Sequence, residues 1–101
     1  RGEALIYASK ELRADRRLVI EAVRNNGLAL RYADIKHQSD GILRAMAGFS
    51  VSHEELLLAA YNEFDQQNCD EILIASVSEE LGVTSPDIRD EYKRRRIDQF
   101  Q

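Results

Sequence analysis

Residues 4–34 read ALIYASKELRADRRLVIEAVRNNGLALRYAD, and this stretch contains one short phrase twice. Ala4-Leu5-Ile6-Tyr7-Ala8 returns as Ala29-Leu30-Arg31-Tyr32-Ala33, 25 residues further along the chain. The same offset pairs other small, apolar or helix-capping positions, namely Asp15 with Asp40, Leu18 with Leu43 and Ala22 with Ala47. A helix-turn-helix unit must keep such positions in order to stack on a copy of itself. The repeated phrase therefore predicts an interior packing motif.

This motif predicts two related helix-turn-helix units over residues 1–48, with Tyr7 and Tyr32 in the interior. Asp15 is a candidate N-cap for the apolar set at 18, 19, 22 and 23, and Gly27 is a candidate positive-φ helix stop. Further caps are expected at Asp40, in the capping box that begins at Ser52, and at Asp70. The predicted helices span approximately residues 2–12, 15–26, 28–37, 39–48, 52–66, 70–81 and 86 onward.

Composition favours an all-α fold. The 101 residues are 44% hydrophobic and 32% charged, include one proline and five glycines, and contain no stretch that alternates like a β-strand. We predict a single small domain over residues 1–101, built of about seven short helices stacked as helical hairpins, in which residues 49–101 are divergent helices. No apolar run reaches the roughly 20 residues of a membrane span, so a soluble chain without membrane contact is expected. Residue 1 is Arg rather than Met, and the sequence leaves the cellular compartment open.

The opening stretch resembles a helical repeat catalogued as a domain of unknown function, with the pattern A-L-x-Y-A-S-x-x-L-R-x-D-R-x-x-V-x-x-A-V-x-x-N-G-x-A-L. The matching positions are Ala4, Leu5, Tyr7, Ala8, Ser9, Leu12, Arg13, Asp15, Arg16, Val19, Ala22, Val23, Asn26, Gly27, Ala29 and Leu30. The match weakens after Ala33 and is not seen beyond Gly48. The resemblance implies occurrence in algal proteins and in effectors that intracellular bacteria secrete into a host cell. It implies a binding module and transfers no catalytic residue.

The candidate catalytic residues form no recognisable motif. Cys69 with His37 or His53 would be a nucleophile and base, but such a pair lacks a third, orienting group. The two histidines stand sixteen positions apart, which is not the spacing of metal ligands on a helix, and the glycines form no phosphate-binding loop. We therefore predict no enzyme activity, cofactor or metal. A small enzyme is the alternative, and it would need a pocket that gathers Cys69 or a histidine with acids.

Charge is unevenly distributed along the chain. Residues 1–48 carry nine basic and six acidic side chains, residues 49–92 carry one and eleven, and residues 93–101 carry four and one. An acidic middle segment is expected to attract a basic protein surface and to repel nucleic-acid phosphate. The alternative is a charged exterior that only keeps the chain soluble. The acidic residues expected to orient a partner are Glu54, Glu63, Asp65, Glu79 and Glu80.

Apolar residues left off the predicted inner faces are candidate anchors for a partner. Leu58, Ile97 and Phe100 are of this kind. The basic run Lys93–Arg96 suggests nucleic-acid or anionic-surface binding as an alternative, although cations near a helix C-terminus also stabilise the helix dipole. The sequence thus favours a protein-interaction module, in a specific form a small effector-type regulator or inhibitor that occludes a partner enzyme. The partner is expected to be another protein with a basic surface or a second copy of the chain, and not a nucleic acid.

Overall fold

The computed structural model of the chain describes the backbone of residues 2–101 and the side chains of residues 5–101. Two 3-10 helices span Gly2–Tyr7 and Gly27–Tyr32. The α-helices are α1 (Lys10–Arg13), α2 (Arg16–Asn25), α3 (Ile35–Gln38), α4 (Gly41–Met46), α5 (His53–Asp65), α6 (Glu71–Leu81) and α7 (Ile88–Asp98). No strand occurs within residues 2–101, so the all-α prediction is confirmed. None of the helices in this range combines the length and the apolar character that crossing a bilayer requires.

The chain forms two compact units, Arg1–Ser52 and His53–Gln101. The first unit contains both 3-10 helices and α1 to α4, and the second contains α5 to α7. The expectation of one domain over residues 1–101 stays a prediction.

The helical elements of the first unit repeat with the 25-residue offset seen in the sequence. A 3-10 helix, a one-turn helix and a capped helix form repeat 1 (residues 2–26), and the same three elements form repeat 2 (residues 27–48). Each predicted helix over 2–12 and 28–37 is therefore a 3-10 helix followed by a separate α-helix. The break is made by extended backbone at Ser9 and at Ala33-Asp34, where Ser9 and Asp34 cap the helix that follows.

Equivalent side chains hold equivalent backbone groups in the two repeats. Asp15 caps α2 by accepting from the amides of residues 17 and 18, and Asp40 caps α4 by accepting from those of residues 42 and 43. The guanidinium of Arg13 donates to the carbonyls of residues 6 and 8. The amide of Gln38, 25 residues later, donates to the carbonyls of residues 31 and 33. Arg13 and Gln38 thus make equivalent hydrogen bonds at the same repeat position, although their side chains differ.

The tyrosines of the repeated phrase are not the interior residues. Leu5 and Leu30 are buried, whereas the side chain of Tyr7 is 87% exposed and Tyr32 lies partly buried at the edge of the core. A 3-10 helix has three residues per turn, so residues three apart share a face and residues two apart do not. The interior prediction is therefore wrong for Tyr7. The side chain of Ala4, which pairs with Ala29 in the sequence comparison, lies outside the described residues.

Gly27 does not act as a positive-φ helix stop, which corrects that prediction. Asn26 ends α2 in extended backbone, and its side chain accepts a hydrogen bond from the amide of Leu28. A Cβ atom on residue 27 would lie 2.7 Å from the carbonyl oxygen of Ala47, so close approach of two backbone segments requires glycine there. Gly48 and Gly82 do have positive φ, at 97° and 89°.

In the second unit, α7 packs against α5 and α6. The buried apolar residues of the second unit are Leu56, Ala59, Ala60, Val77, Tyr92 and Ile97. The sequence predicts an inner stripe on α5 of Leu57, Ala60, Tyr61 and Phe64. Ala60 is buried, but the other three side chains are only partly buried. The buried face of α5 also includes Leu56, Ala59 and Glu63.

Candidate partner-binding groove

Repeat 2 packs on repeat 1 through a defined face. Leu30, Ala33 and Leu43 of repeat 2 belong to the same buried cluster as Val19 and Val23 of α2. The α2 helix packs along the second 3-10 helix. Repeat 1 therefore meets repeat 2 through α2, and repeat 2 meets repeat 1 through its 3-10 helix and α4.

Two polar contacts fix the register of this packing. The amide of Asp34 donates to the carbonyl oxygen of Arg13 at 3.0 Å, and Nε2 of the buried His37 lies 2.6 Å from the carbonyl oxygen of Ala14. A carbonyl oxygen only accepts, so Nε2 carries the proton and donates. Arg16 adds an ion pair with Asp40 at 2.6 Å, with both side chains largely buried. His37 is thus a structural residue of the contact between the repeats.

The corresponding face of repeat 1 is an open groove of about 300 Å³. This N-terminal groove is lined by Leu5, Ala8, Leu12, Leu18, Glu21, Ala22 and Asn25. The offset of 25 residues places Leu5, Ala8, Leu12 and Leu18 at the positions of Leu30, Ala33, His37 and Leu43, which are buried in repeat 2. In repeat 1 the side chains of Leu12 and Leu18 are 48% and 38% exposed. The sequence predicts an inward face of residues 18, 19, 22 and 23, and the structure buries the last three but leaves Leu18 partly exposed.

The opposite end of the repeat pair is a second groove, of about 270 Å³. This C-terminal groove is lined by Gly27, Leu28, Leu30, Arg31, Gln38, Arg44, Ala47 and Phe49. Arg44 and Gly48 stand where repeat 1 has Val19 and Val23, the residues that repeat 2 covers. The Arg44 guanidinium lies over the Phe49 ring, 4.9 Å from its centre. This groove thus combines the exposed apolar side chains of Leu28 and Phe49 with the charged side chains of Arg31 and Arg44.

A buried ion pair organises the second unit. Arg96 donates to both oxygens of Glu63 at 2.9 and 3.0 Å, and both side chains are almost completely buried. The Tyr92 hydroxyl donates to Glu63 at 2.6 Å and accepts from the amide of Asp70 at 2.8 Å. Burial and the neighbouring carboxylate of Glu63 raise the pKa of Tyr92, so this hydroxyl keeps its proton. The cluster is fully hydrogen-bonded and lies inside the unit, which fits a structural role.

The predicted partner-binding residues fall into separate environments. Glu63 and Ile97 are buried, which corrects the expectation that they face a partner. Their helices turn these positions inward, where Glu63 meets Arg96. Leu58 is 64% exposed, and Phe100 lies partly buried beneath the Arg96 guanidinium.

The other acidic candidates also differ from one another, since, within the described residues, two form ion pairs and two do not. Asp65 pairs with Arg89 at 2.8 Å, and Glu80 pairs with Arg95. Glu54 and Glu79 are exposed, and neither forms an ion pair with a described residue. The structure therefore does not gather the five predicted acidic side chains into one unpaired surface.

The C-terminal basic run is bound to acidic side chains of its own unit. Arg94 pairs with Glu91 and lies 3.8 Å from Asp98, and Arg95 pairs with Glu91 and Glu80. Arg96 is buried against Glu63. The Lys93 ammonium lies over the Tyr61 ring, 5.7 Å from its centre. The charge of this run is thus largely balanced locally.

Cys69 lies partly buried beside the Glu63 cluster. Burial raises the pKa of the Cys69 thiol to about 11, and the Glu63 carboxylate acts in the same direction. The thiol is therefore protonated at neutral pH, which is the reverse of what a nucleophilic cysteine requires. His53 contacts Gln101 at 3.1 Å, and His37 is engaged with Ala14. Among the described residues, no three metal-ligating side chains are clustered.

The raised pKa predicts slow alkylation of Cys69 in the folded chain. At about pH 8, reaction with iodoacetamide should be about a hundredfold slower than in the same chain unfolded in concentrated urea, because the thiolate is the reacting species. The rate in the folded chain should keep rising towards about pH 11. A rate that levels off near pH 9 would contradict the raised pKa.

The comparisons with known proteins cover the first third of the chain. A family model described as "Domain of unknown function (DUF4116)" matches residues 1–37. This range holds repeat 1 together with the 3-10 helix and most of α3 of repeat 2. No curated protein matches the chain, and no solved structure matches it.

Proposed function

We propose that this chain is a protein-interaction module that acts by binding a partner, without catalysis of its own. The N-terminal groove carries this proposal. It exposes Leu12 and Leu18 at positions whose equivalents in repeat 2 are buried by a helix. Apolar side chains grouped around a concave surface are typical of binding sites for other proteins.

The ion pairs of the second unit favour the N-terminal groove, rather than that unit, as the binding site. Glu63, Asp65 and Glu80 already form ion pairs within that unit, so fewer acidic groups are available to orient a basic partner. The basic run near Arg95 is engaged in the same way, which does not favour nucleic-acid binding. In its specific form, the chain is a small effector-type regulator that occludes the surface of a partner enzyme.

Site-specific photo-cross-linking in the cells that make the protein tests this proposal. A benzophenone amino acid at Leu12 should give a discrete protein adduct, identified by mass spectrometry, and Leu18→Asp should abolish it. The same probe at Ile72, which is 85% exposed on α6, is the matched control and should not give that adduct. The purified partner should then bind the unmodified chain and not the Leu18→Asp chain. Identical adducts from both positions, or none from Leu12, would overturn the proposal.

A further inference from the structure

The N-terminal groove has an internal template that shows which kind of segment fits it. The equivalent face of repeat 2 is covered by α2, a ten-residue helix. The buried residues of α2 are Arg16, Val19, Ala22 and Val23, and of these Ala22 lines the N-terminal groove itself. Arg16, Val19 and Val23 share one helical face, with the spacing i, i+3 and i+7, and Arg16 pairs with Asp40 of repeat 2.

We propose that the N-terminal groove binds an amphipathic α-helix of a partner protein, one that presents β-branched apolar residues at i and i+4. This inference rests on the proposed function and names the class of partner for the same groove. The partner helix would lie on the exposed Leu12 and Leu18 as α2 lies on the corresponding residues of repeat 2.

One substitution between the repeats makes the groove suited to an apolar helix. His37 anchors repeat 2 by donating to the carbonyl oxygen of Ala14, just after the end of α1. Its equivalent in repeat 1 is Leu12, which has no donor and is half exposed. A helix bound to repeat 1 therefore needs to supply apolar contact rather than a free carbonyl group.

The C-terminal groove is a poorer receptor for the same class of ligand. Arg44 and Gly48 replace the valines that would receive a following 3-10 helix, and the Arg44 guanidinium is stacked on Phe49. Seating an apolar segment there would require removing water from a guanidinium group. The two ends of the repeat pair therefore differ, and the N-terminal end is the binding end.

The probe for the test is a synthetic peptide with the sequence of residues 15–26 of this chain. Isolated helices of this length are marginal in water, so the peptide carries Arg17→Lys and a lactam between residues 17 and 21. These two positions lie opposite Val19 on the helix and are exposed in α2. The control peptide carries Val19→Asp and Val23→Asp in the same lactam frame.

Binding is measured by fluorescence anisotropy and by amide chemical-shift mapping on the full chain. We expect saturable binding with shifts at Leu12, Leu18 and Asn25. Leu18→Asp in the protein and the double Asp change in the peptide should each weaken binding by at least about tenfold. Leu28→Asp, at an exposed position of the C-terminal groove, is the matched protein control and should leave binding unchanged.

The possible results separate this inference from the proposed function. Equal binding of the two peptides, or shifts confined to the C-terminal groove, would overturn the helix-binding inference. Peptide binding that survives Leu18→Asp would indicate that the peptide displaces the chain's own α2. This result would also overturn the helix-binding inference. A Leu12 photo-adduct without helix-peptide binding would leave the proposed function standing and reject only the class of ligand. Self-association of the unmodified chain that Leu18→Asp abolishes would assign the groove to a second copy instead.

Discussion

Replacing Glu63 with alanine is expected to lower the free energy of unfolding of the second unit by about 3–5 kcal/mol. The change removes the two Glu63 oxygens that accept from the buried Arg96 guanidinium and leaves Asp70, at 3.5 Å, as the nearest remaining carboxylate. It also deprives the Tyr92 hydroxyl of its acceptor. Urea unfolding of the full chain, followed by NMR resonances of α5 and α7, gives the free energy for this unit separately. A loss below about 1 kcal/mol would contradict the assignment of a structural role.

Two further variants separate the charge from the packing. Asp65 lies on the same helix as Glu63 and forms a half-exposed pair with Arg89 of α7. Asp65→Ala should change the free energy of unfolding little, because solvent screens that pair. The double change Glu63→Leu and Arg96→Met removes both buried charges and should recover much of the stability lost by Glu63→Ala. A double variant no more stable than Glu63→Ala would show that the unpaired Arg96 charge is not the cause of the loss.

Leu5→Ala and Leu30→Ala should each destabilise the first unit by about 2–5 kcal/mol. Both leucines are buried at equivalent positions of the two 3-10 helices, and truncation leaves a cavity in the shared core. Tyr7→Ala is the control, and because that side chain is 87% exposed it should change stability by at most about 0.5 kcal/mol. The measurement is urea unfolding followed by NMR resonances of α2. A larger effect for Tyr7→Ala than for Leu5→Ala would contradict the assignment of leucine as the interior residue of the repeated phrase.

Local chemistry made much of the fold predictable. Asp15, Asp40 and Asp70 each cap the helix that was expected to follow them, because a short carboxylate satisfies free amides within its own turn. Gly82 ends α6 with positive φ, a backbone conformation that glycine favours. The 25-residue offset was also visible, since it depends only on which residues recur.

The direction of the side chains was less predictable. The repeated phrase predicts an inward Tyr7, but the 3-10 helix buries Leu5, and Tyr7, two residues further on, lies on another face. On α5 the inward position of Glu63 could not be read from the charge of that residue alone. Its signal is the seven-residue spacing from the buried Leu56, together with an arginine on another helix that could neutralise it.

The groove was missed for a related reason. Leu12 and Leu18 look like ordinary core residues of an amphipathic helix. They become candidates for binding only when the two repeats are superimposed by their offset and the buried equivalents in repeat 2 are noted.

The sequence by itself determined the all-α class, the sites of helix capping and the period of the repeat, because each depends on interactions within one or two helical turns. Only the tertiary structure decided which face of each helix is covered, that Glu63 meets Arg96, and that repeat 1 keeps an open apolar face. These features depend on contacts between segments distant in the chain, such as the 33 positions from Glu63 to Arg96, and no local pattern specifies such contacts.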